Sequence, residues 1–280
     1  MLLDGFERQA KNEINESVAK GILAYVYAST RENWQEVADL TNDVINNGGY
    51  IIMSSSEVLD GFNDVNTSGW MWGVDITNDL GLELVNWWGQ IDYFSYSYAA
   101  YGDYKSIDSG LYAKIPDNDV RKQQFKEPTG SATDLMPWNK FYDDARVPAG
   151  ASRITSMDYV YLRVAEMYLL NAEANANLGN NAVAITSLRE LLNERIDDVS
   201  YLDNLSGQSL LDEIYLQTRI ELWGEGKSYL ALKRNRKTVV RGANHLSFIG
   251  EPIPYNDEKL TFEIPESEIL NNPFISTQNQ

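Results

Sequence analysis

Glu221 and Glu225 stand one helical turn apart in "RIELWGEGKSYLALKRN", residues 219–235. Arg219, Lys227, Lys233 and Arg234 surround them, and Gly224 and Gly226 flank the second carboxylate. Two carboxylates can divide acid and nucleophile or base roles, as glycoside hydrolysis requires, when they face each other across a scissile bond. Four residues apart on one helix they point the same way instead. Apolar neighbours recur in steps of four and three: Leu211, Tyr215, Thr218, Leu222, then Glu225, then Tyr229 and Leu232. That stripe predicts a helix over about 207–233 with Glu225 on its buried face. A buried carboxylate must be paired or hydrogen-bonded. The flanking glycines let another backbone come close. Arg163, Arg195 or Arg219 is expected to supply the countercharge. The stretch therefore reads as a clamp between helices, and no catalytic residue is assigned.

Other chemistries are narrowed by composition. The chain has no cysteine, which removes thiol nucleophiles, thiolate metal sites and disulfides together. His245 is the only histidine, so neither a triad nor a metal cluster can use two; it reads as a solvated loop residue. Asp117, Asn118 and Asp119 hint at calcium ligands, but no EF-hand glycine and glutamate follow at the required spacing. No metal and no cofactor are expected. A net charge of −18 repels phosphate backbones and anionic lipid, so nucleic acid is a poor partner.

The chain is rich in amphipathic aromatics, 17 Tyr and 7 Trp. Rings that offer an apolar face and a polar tip serve cores, interfaces and sugar-stacking platforms alike. They concentrate in "NWWGQIDYFSYSYAAYGDY", Asn86–Tyr104. Within it Trp87, Trp88, Tyr93, Tyr96 and Tyr101 are candidate stacking residues. Asn86, Gln90 and Asp92 are candidate hydrogen-bonding residues. On an extended backbone Trp87 and Trp88 would point to opposite sides, one anchoring the loop and the other facing solvent. Others of these aromatics would cover the scaffold. Trp70 and Trp72 in "GWMWGVD" alternate as in a buried strand and read as core.

Helical segments must position these residues. Residues 7–29 and about 33–46 carry apolar positions at helical spacing, and Gly48–Gly49 ends the second. Residues 50–156 lose periodicity and are punctuated by turns, among them Pro128–Gly130 and Pro148–Gly150. Regularity returns at Asp158, an expected N-cap for a helix to Gly179, followed by a helix over about 181–195. Ala172, Gly179, Ala184 and Leu188 follow the order and spacing of a tetratricopeptide helix pair. The expected fold is mainly α: tetratricopeptide-like helix pairs with a long irregular, loop-rich insertion. It forms one domain over 1–280, with helical repeats at about 7–46 and 158–233 and the insertion at about 50–156. No apolar run approaches the roughly 18 residues of a membrane span. The start, "MLLDGFERQAKNEINE", lacks the basic and apolar regions of a signal peptide.

Three motifs resemble the SusD/RagB family of glycan-binding outer-membrane lipoproteins of Bacteroidetes. Arg219, Glu221, Leu222, Gly224, Glu225, Gly226, Leu232 and Arg234 match the family's Glu-Arg-Arg-x-Glu-Leu-x-Gly-Glu-Gly stretch and its Asp-Leu-x-Arg ending. Gln217, Thr218, Ser228 and Ala231 stand where the family more often has Glu, Arg, Arg and Asp, which alters part of an ion-pair network. "YLRVAEMYLLNAEANANLG" is similar to the family's Arg-x-Ala-Glu-x-Tyr-Leu helix through Arg163, Ala165, Glu166, Tyr168, Leu169, Ala172, Glu173 and Ala174. "FEIPESEILNNP" is similar to its closing motif through Ile264, Pro265, Glu268, Ile269, Asn272 and Pro273, and "IPDNDVRK" also fits. The resemblance implies a non-catalytic protein that captures glycans and delivers them to a SusC-like TonB-dependent transporter for nutrient uptake. It implies a surface-exposed place on the outer membrane, with Arg163, Glu221, Glu225 and Arg234 as structural residues. Family members are usually much longer and begin with a lipoprotein signal and an anchoring cysteine, so this chain is expected to be a C-terminal portion. A helical-repeat adaptor that binds protein alone, with the aromatics as its interface, is the competing expectation. A glycosidase ranks last.

Overall fold

A computed structural model of the chain describes residues 3, 5–82, 85–147 and 155–279. It opens with a helix pair, α1 (Glu16–Thr30) and α2 (Trp34–Asn47). α1 starts at residue 16, well after residue 7, because Asn15 caps it: its side chain accepts from the Val18 amide at 3.0 Å. The preceding residues are tied to the insertion instead. Arg8 Nη1 donates to the Met71 carbonyl at 2.6 Å, and Lys11 Nζ to the Thr67 carbonyl at 2.6 Å. In the insertion lie β1 (Trp70–Val74), α3 (Trp87–Ile91) and α4 (Ser109–Tyr112), joined by turns. The expected turn at Pro148–Gly150 lies outside the described residues.

The chain leaves the insertion through β2 (Tyr159–Arg163), antiparallel to β1 with Val74 opposite Tyr159 and Trp70 opposite Arg163. Then follow α5 (Val164–Asn177), α6 (Asn181–Leu192), α7 (Gly207–Glu221) and α8 (Ser228–Arg234). β3 (Val239–Val240) pairs with β4 (Pro252–Ile253), and α9 (Glu266–Asn271) lies near the end. Two boundaries correct the sequence reading. Asp158 is no helix cap: its carboxylate accepts from the amides of Val65 and Ile76, both at 2.7 Å, and a strand follows it. The expected helix over 207–233 is two helices, because Gly224 (φ 78°) and Gly226 (φ 77°) are left-handed and end α7.

α5 is buried on nearly every side. One side packs Val164, Met167, Leu170 and Ala174 on Val18, Ala24 and Ala28 of α1 and Val37 and Val44 of α2. The other packs Ala165, Leu169, Ala172 and Ala176 on Ala184, Leu188 and Leu191 of α6 and Leu210 and Ile214 of α7. Its alanines let the neighbours approach, and its buried polar residues are paired: Asn171 Nδ2 donates to the Ala38 carbonyl at 3.1 Å and to Thr41 Oγ1 at 3.0 Å. Both predicted helix pairs thus share one mainly α scaffold. The insertion has its own core of Met53, Phe62, Trp70, Trp88, Phe141 and Met157. Among the described residues no helix is long and apolar enough to cross a membrane.

Candidate functional site

Glu221 closes α7, and Glu225 follows it in the glycine loop before α8. The two carboxylates converge on Arg163, which sits at the corner between β2 and α5. Arg163 donates from Nε and Nη2 to Glu225 at 2.7 and 2.9 Å, and from Nη1 to Glu221 at 3.1 Å. Arg195 holds Glu221 through Nε and Nη2, both at 3.0 Å. Arg121 bridges Glu221 at 3.2 Å and Asp119 at 2.6 Å, and Lys140 Nζ donates to Glu225 at 2.8 Å. Of the partners expected for Glu225, Arg163 is one, whereas Arg195 holds Glu221 instead. Arg219 is not one, since its guanidinium lies 5.8 Å from the Tyr215 ring. Arg121 and Lys140 come from the insertion, and no spacing signal announced them.

These side chains are at most 2% exposed. Four cations (Arg121, Lys140, Arg163, Arg195) face three carboxylates (Asp119, Glu221, Glu225). The Phe62 ring offers its π face to the surplus cation, lying 4.6 Å from Lys140 Nζ and 5.1 Å from the Arg163 guanidinium. Burial alone would push the Glu221 carboxyl up, but Arg195, Arg163 and Arg121 outweigh it and hold it well below the usual range. Burial opposes ionisation of Glu225 too, and Arg163 and Lys140 keep it below its ordinary value. Two carboxylates held ionised and out of water are poor proton donors at neutral pH. The arrangement clamps insertion to scaffold. Arg234 belongs to a second clamp, bidentate to Glu173 at 2.7 and 2.9 Å.

The predicted ligand residues fall in two places. α3 is a short helix where an extended backbone was expected. Asn86 caps it, accepting from the Gly89 amide at 3.1 Å and donating to Thr155 Oγ1 at 3.0 Å. Trp88 is fully buried, and Trp87 is half-buried with its ring 4.9 Å from that of Trp88. Trp88 is an anchor, and Trp87 packs on the same core, 4.7 Å from the Phe141 ring, so neither stands free as a platform. Trp87 lines a cleft of about 350 Å³ with Phe62, Phe141, Tyr159, Tyr161 and Gly224. Gly224 lets this loop pack directly on Phe141 in the cleft wall, since a Cβ there would lie 2.5 Å from the Phe141 ring.

The tyrosines lie elsewhere. Tyr93 packs 6.3 Å from Tyr104 and 5.9 Å from Trp138, and Tyr96 packs 5.2 Å from Tyr101. Tyr101 is 69% exposed and Tyr98 40%. Tyr104 also lines a groove of about 740 Å³ whose other walls include Asp103, Lys105, Asp134, Asn244 and His245. Tyr98, Tyr104 and Trp138 were not among the predicted site residues, although the first two lie in the segment that was singled out. Gln90 is half-exposed. Asp92 is fully buried beneath the loop, where Oδ1 accepts from the Phe94 amide at 2.9 Å, so it presents nothing to a ligand. Burial pushes its carboxyl up to about 6. His245 is pinned, with Nε2 3.0 Å from Asp108 Oδ2. Asp117 and Asp119 pair with Lys122 and Arg121. Among the described residues no group of acidic or histidine side chains is arranged to hold a metal ion.

The SusD family model matches residues 15–279. A SusD-like carbohydrate binding protein from Bacteroides vulgatus has 28% identity and a TM-score of 0.78, over 98% of this chain and 61% of that one. A SusD superfamily protein from Bacteroides thetaiotaomicron has 24% identity and a TM-score of 0.75, over 99% and 63%. Another from Bacteroides vulgatus has 22% identity and a TM-score of 0.76, over 98% and 61%. The last two likenesses bear on fold alone. The chain spans about three fifths of the length of these structures. No curated protein sequence matches it.

Proposed function

This chain belongs to the SusD family, and from that membership and its exposed tyrosines we propose that it binds glycans without cleaving them. In this reading it acts at the outer face of the outer membrane and passes its ligand to a SusC-like TonB-dependent transporter. The observation that carries the reading is the pair of exposed rings Tyr98 and Tyr101, a few residues before Tyr104, which itself lines a groove of about 740 Å³ and packs near Tyr93. Sugar rings offer apolar C–H faces for stacking on aromatics, and Asp103, Lys105 and Asn244 offer partners for hydroxyls. The related Bacteroides vulgatus protein, described as carbohydrate binding, supports it further.

Affinity electrophoresis against plant and host polysaccharides tests the proposal, with the Tyr98→Ala/Tyr101→Ala double variant and Trp87→Ala beside the parent. Retention should weaken in the tyrosine variant and change little with salt, because stacking is not a charge contact. New reducing ends after incubation would refute the non-catalytic reading. Retention that neither variant reduces would move the site away from both aromatic clusters. Failure to retain any glycan would favour the protein-binding reading of the same rings.

A further inference from the structure

Between the α1–α2 turn and the start of α8's exit lies a cavity of about 80 Å³. Arg31, Trp34, Glu173, Asn177, Arg234 and Lys237 form most of its wall. It has no part in the tyrosine cluster or the Trp87 cleft. Its size admits ordered water or one compact ion, since a single water needs only about 10–15 Å³ of such space.

Three observations say what belongs there. The first is charge. Glu173 answers Arg234 at 2.7 Å, and Asp212 answers Lys237 from outside the wall. Among the described residues Arg31 has no ion pair or side-chain hydrogen bond, so the cavity carries one positive charge in excess. The second is an orphaned donor. Arg234 is 4% exposed, and its Nε and Nη2 are spent on Glu173, while Nη1 is buried with no hydrogen-bond partner among the described residues. Buried guanidinium N–H groups are rarely left unmade. The third is backbone conformation. Arg31 has φ 62°, the left-handed position after α1 where glycine is favoured, yet it carries a long cationic side chain to the cavity wall. Arg31 and Arg234 each follow or end a helix, so helix dipoles answer them in part, but a dipole gives Nη1 no acceptor atom.

We propose that this cavity binds a single oxyanion group, a carboxylate, phosphate or sulfate, between Arg31 and Arg234. One negative charge neutralises the surplus, and oxyanion oxygens are the acceptors a guanidinium takes best.

The test uses the full chain and Arg31→Gly. Glycine suits φ 62°, so this variant should melt at or above the parent in chloride. Sodium sulfate, phosphate and acetate are titrated at matched ionic strength by calorimetry and thermal shift. The parent should gain melting temperature with at least one of them. Arg31→Gly should bind that anion about tenfold more weakly, as expected when one of two cations is removed. Preference for acetate assigns a carboxylate and preference for sulfate or phosphate a tetrahedral group. Crystals grown with selenate should show anomalous density beside Arg234 Nη1. An equal response in both proteins, or water alone at that place, overturns the site and leaves an adventitious ion only.

Discussion

Replacing Glu225 with Ala tests the clamp directly. Arg163 would keep Glu221 at 3.1 Å. Lys140 would keep only the Glu221 carbonyl at 3.1 Å and the Phe62 and Phe141 rings. The cluster's surplus positive charge would rise from one to two in a site where Lys140 and Arg163 are at most 1% exposed. Removing one partner of a buried ion pair costs about 3–5 kcal/mol. For a chain of this size that lowers the melting temperature by roughly 6–20 °C. Calorimetry with a urea series measures it. The control is Lys140→Met in the same background, which removes the stranded charge and should restore part of the loss. Burial already holds the Lys140 amine below its ordinary value, against the pull of Glu225. Between that lowered value and the ordinary one the unfolded chain binds more protons, so stability rises with pH across the window. Losing Glu225 extends the window downward, so the variant's deficit should shrink in alkaline buffer. An Ala variant within about 0.5 kcal/mol of the parent refutes the clamp. So does a Lys140→Met change that simply adds its own cost.

Trp88→Ala should cost about 3–5 kcal/mol, as a buried ring leaves a cavity, whereas Tyr101→Ala should stay within about 0.5 kcal/mol; equal losses would misplace the two rings. Gly224→Ala should destabilise by more than about 1 kcal/mol, since φ is 78° and the new Cβ meets Phe141 at 2.5 Å; a neutral result by urea unfolding would contradict that packing. The raised Asp92 carboxyl, about 6, makes the folded chain bind more protons than the unfolded one between about pH 4 and 6. Stability should fall as pH rises through that window, by on the order of 2–3 kcal/mol, and Asp92→Asn should flatten the slope; an unchanged pH profile would show that Asp92 does not titrate this way.

Long apolar periodicities were legible: α2, α5 and α6 follow from the placing of residues such as Val37, Val44, Leu169, Ala172, Leu188 and Leu191. The five residues of β2 were not, because Tyr161 and Ala165 continue a helical spacing by coincidence, and so short a run fits either period. The break at Gly224–Gly226 hid for a related reason. Leu222 and Leu232 are buried on both sides of it, so the stripe runs on across a chain that has left the helix. Glu225 is buried as expected, but a loop and not a helical face turns it inward. Its partner Lys140 lies 85 residues away and Arg121 lies 100 residues from Glu221. Such pairings are fixed by tertiary contact. The Asn86 cap was missed, because Asn86 reads as a ligand residue on an extended backbone, although an Asn three residues before a helical amide in "NWWG" carries that signal.

The opening carboxylates bear on function through where their partners come from. Arg163 belongs to the strand that ends the insertion, Arg121 and Lys140 lie within it, and Arg195 follows α6 and also donates to the Met53 carbonyl at 2.6 Å. Gln124 reaches the Val58 carbonyl at 2.8 Å, and Asp158 holds the Val65 and Ile76 amides. With so little sheet, irregular backbone has few ladder hydrogen bonds to fix it, and each ordered residue costs about 1–2 kcal/mol of conformational entropy. Directional buried contacts supply that order at a few points, and the aromatic rings fill the space between them. A binding surface of loops keeps its shape when a rigid scaffold holds it. Glu221 and Glu225 therefore act on the aromatic surface through the frame that carries it, since both carboxylates are spent on the buried cations that join insertion to scaffold.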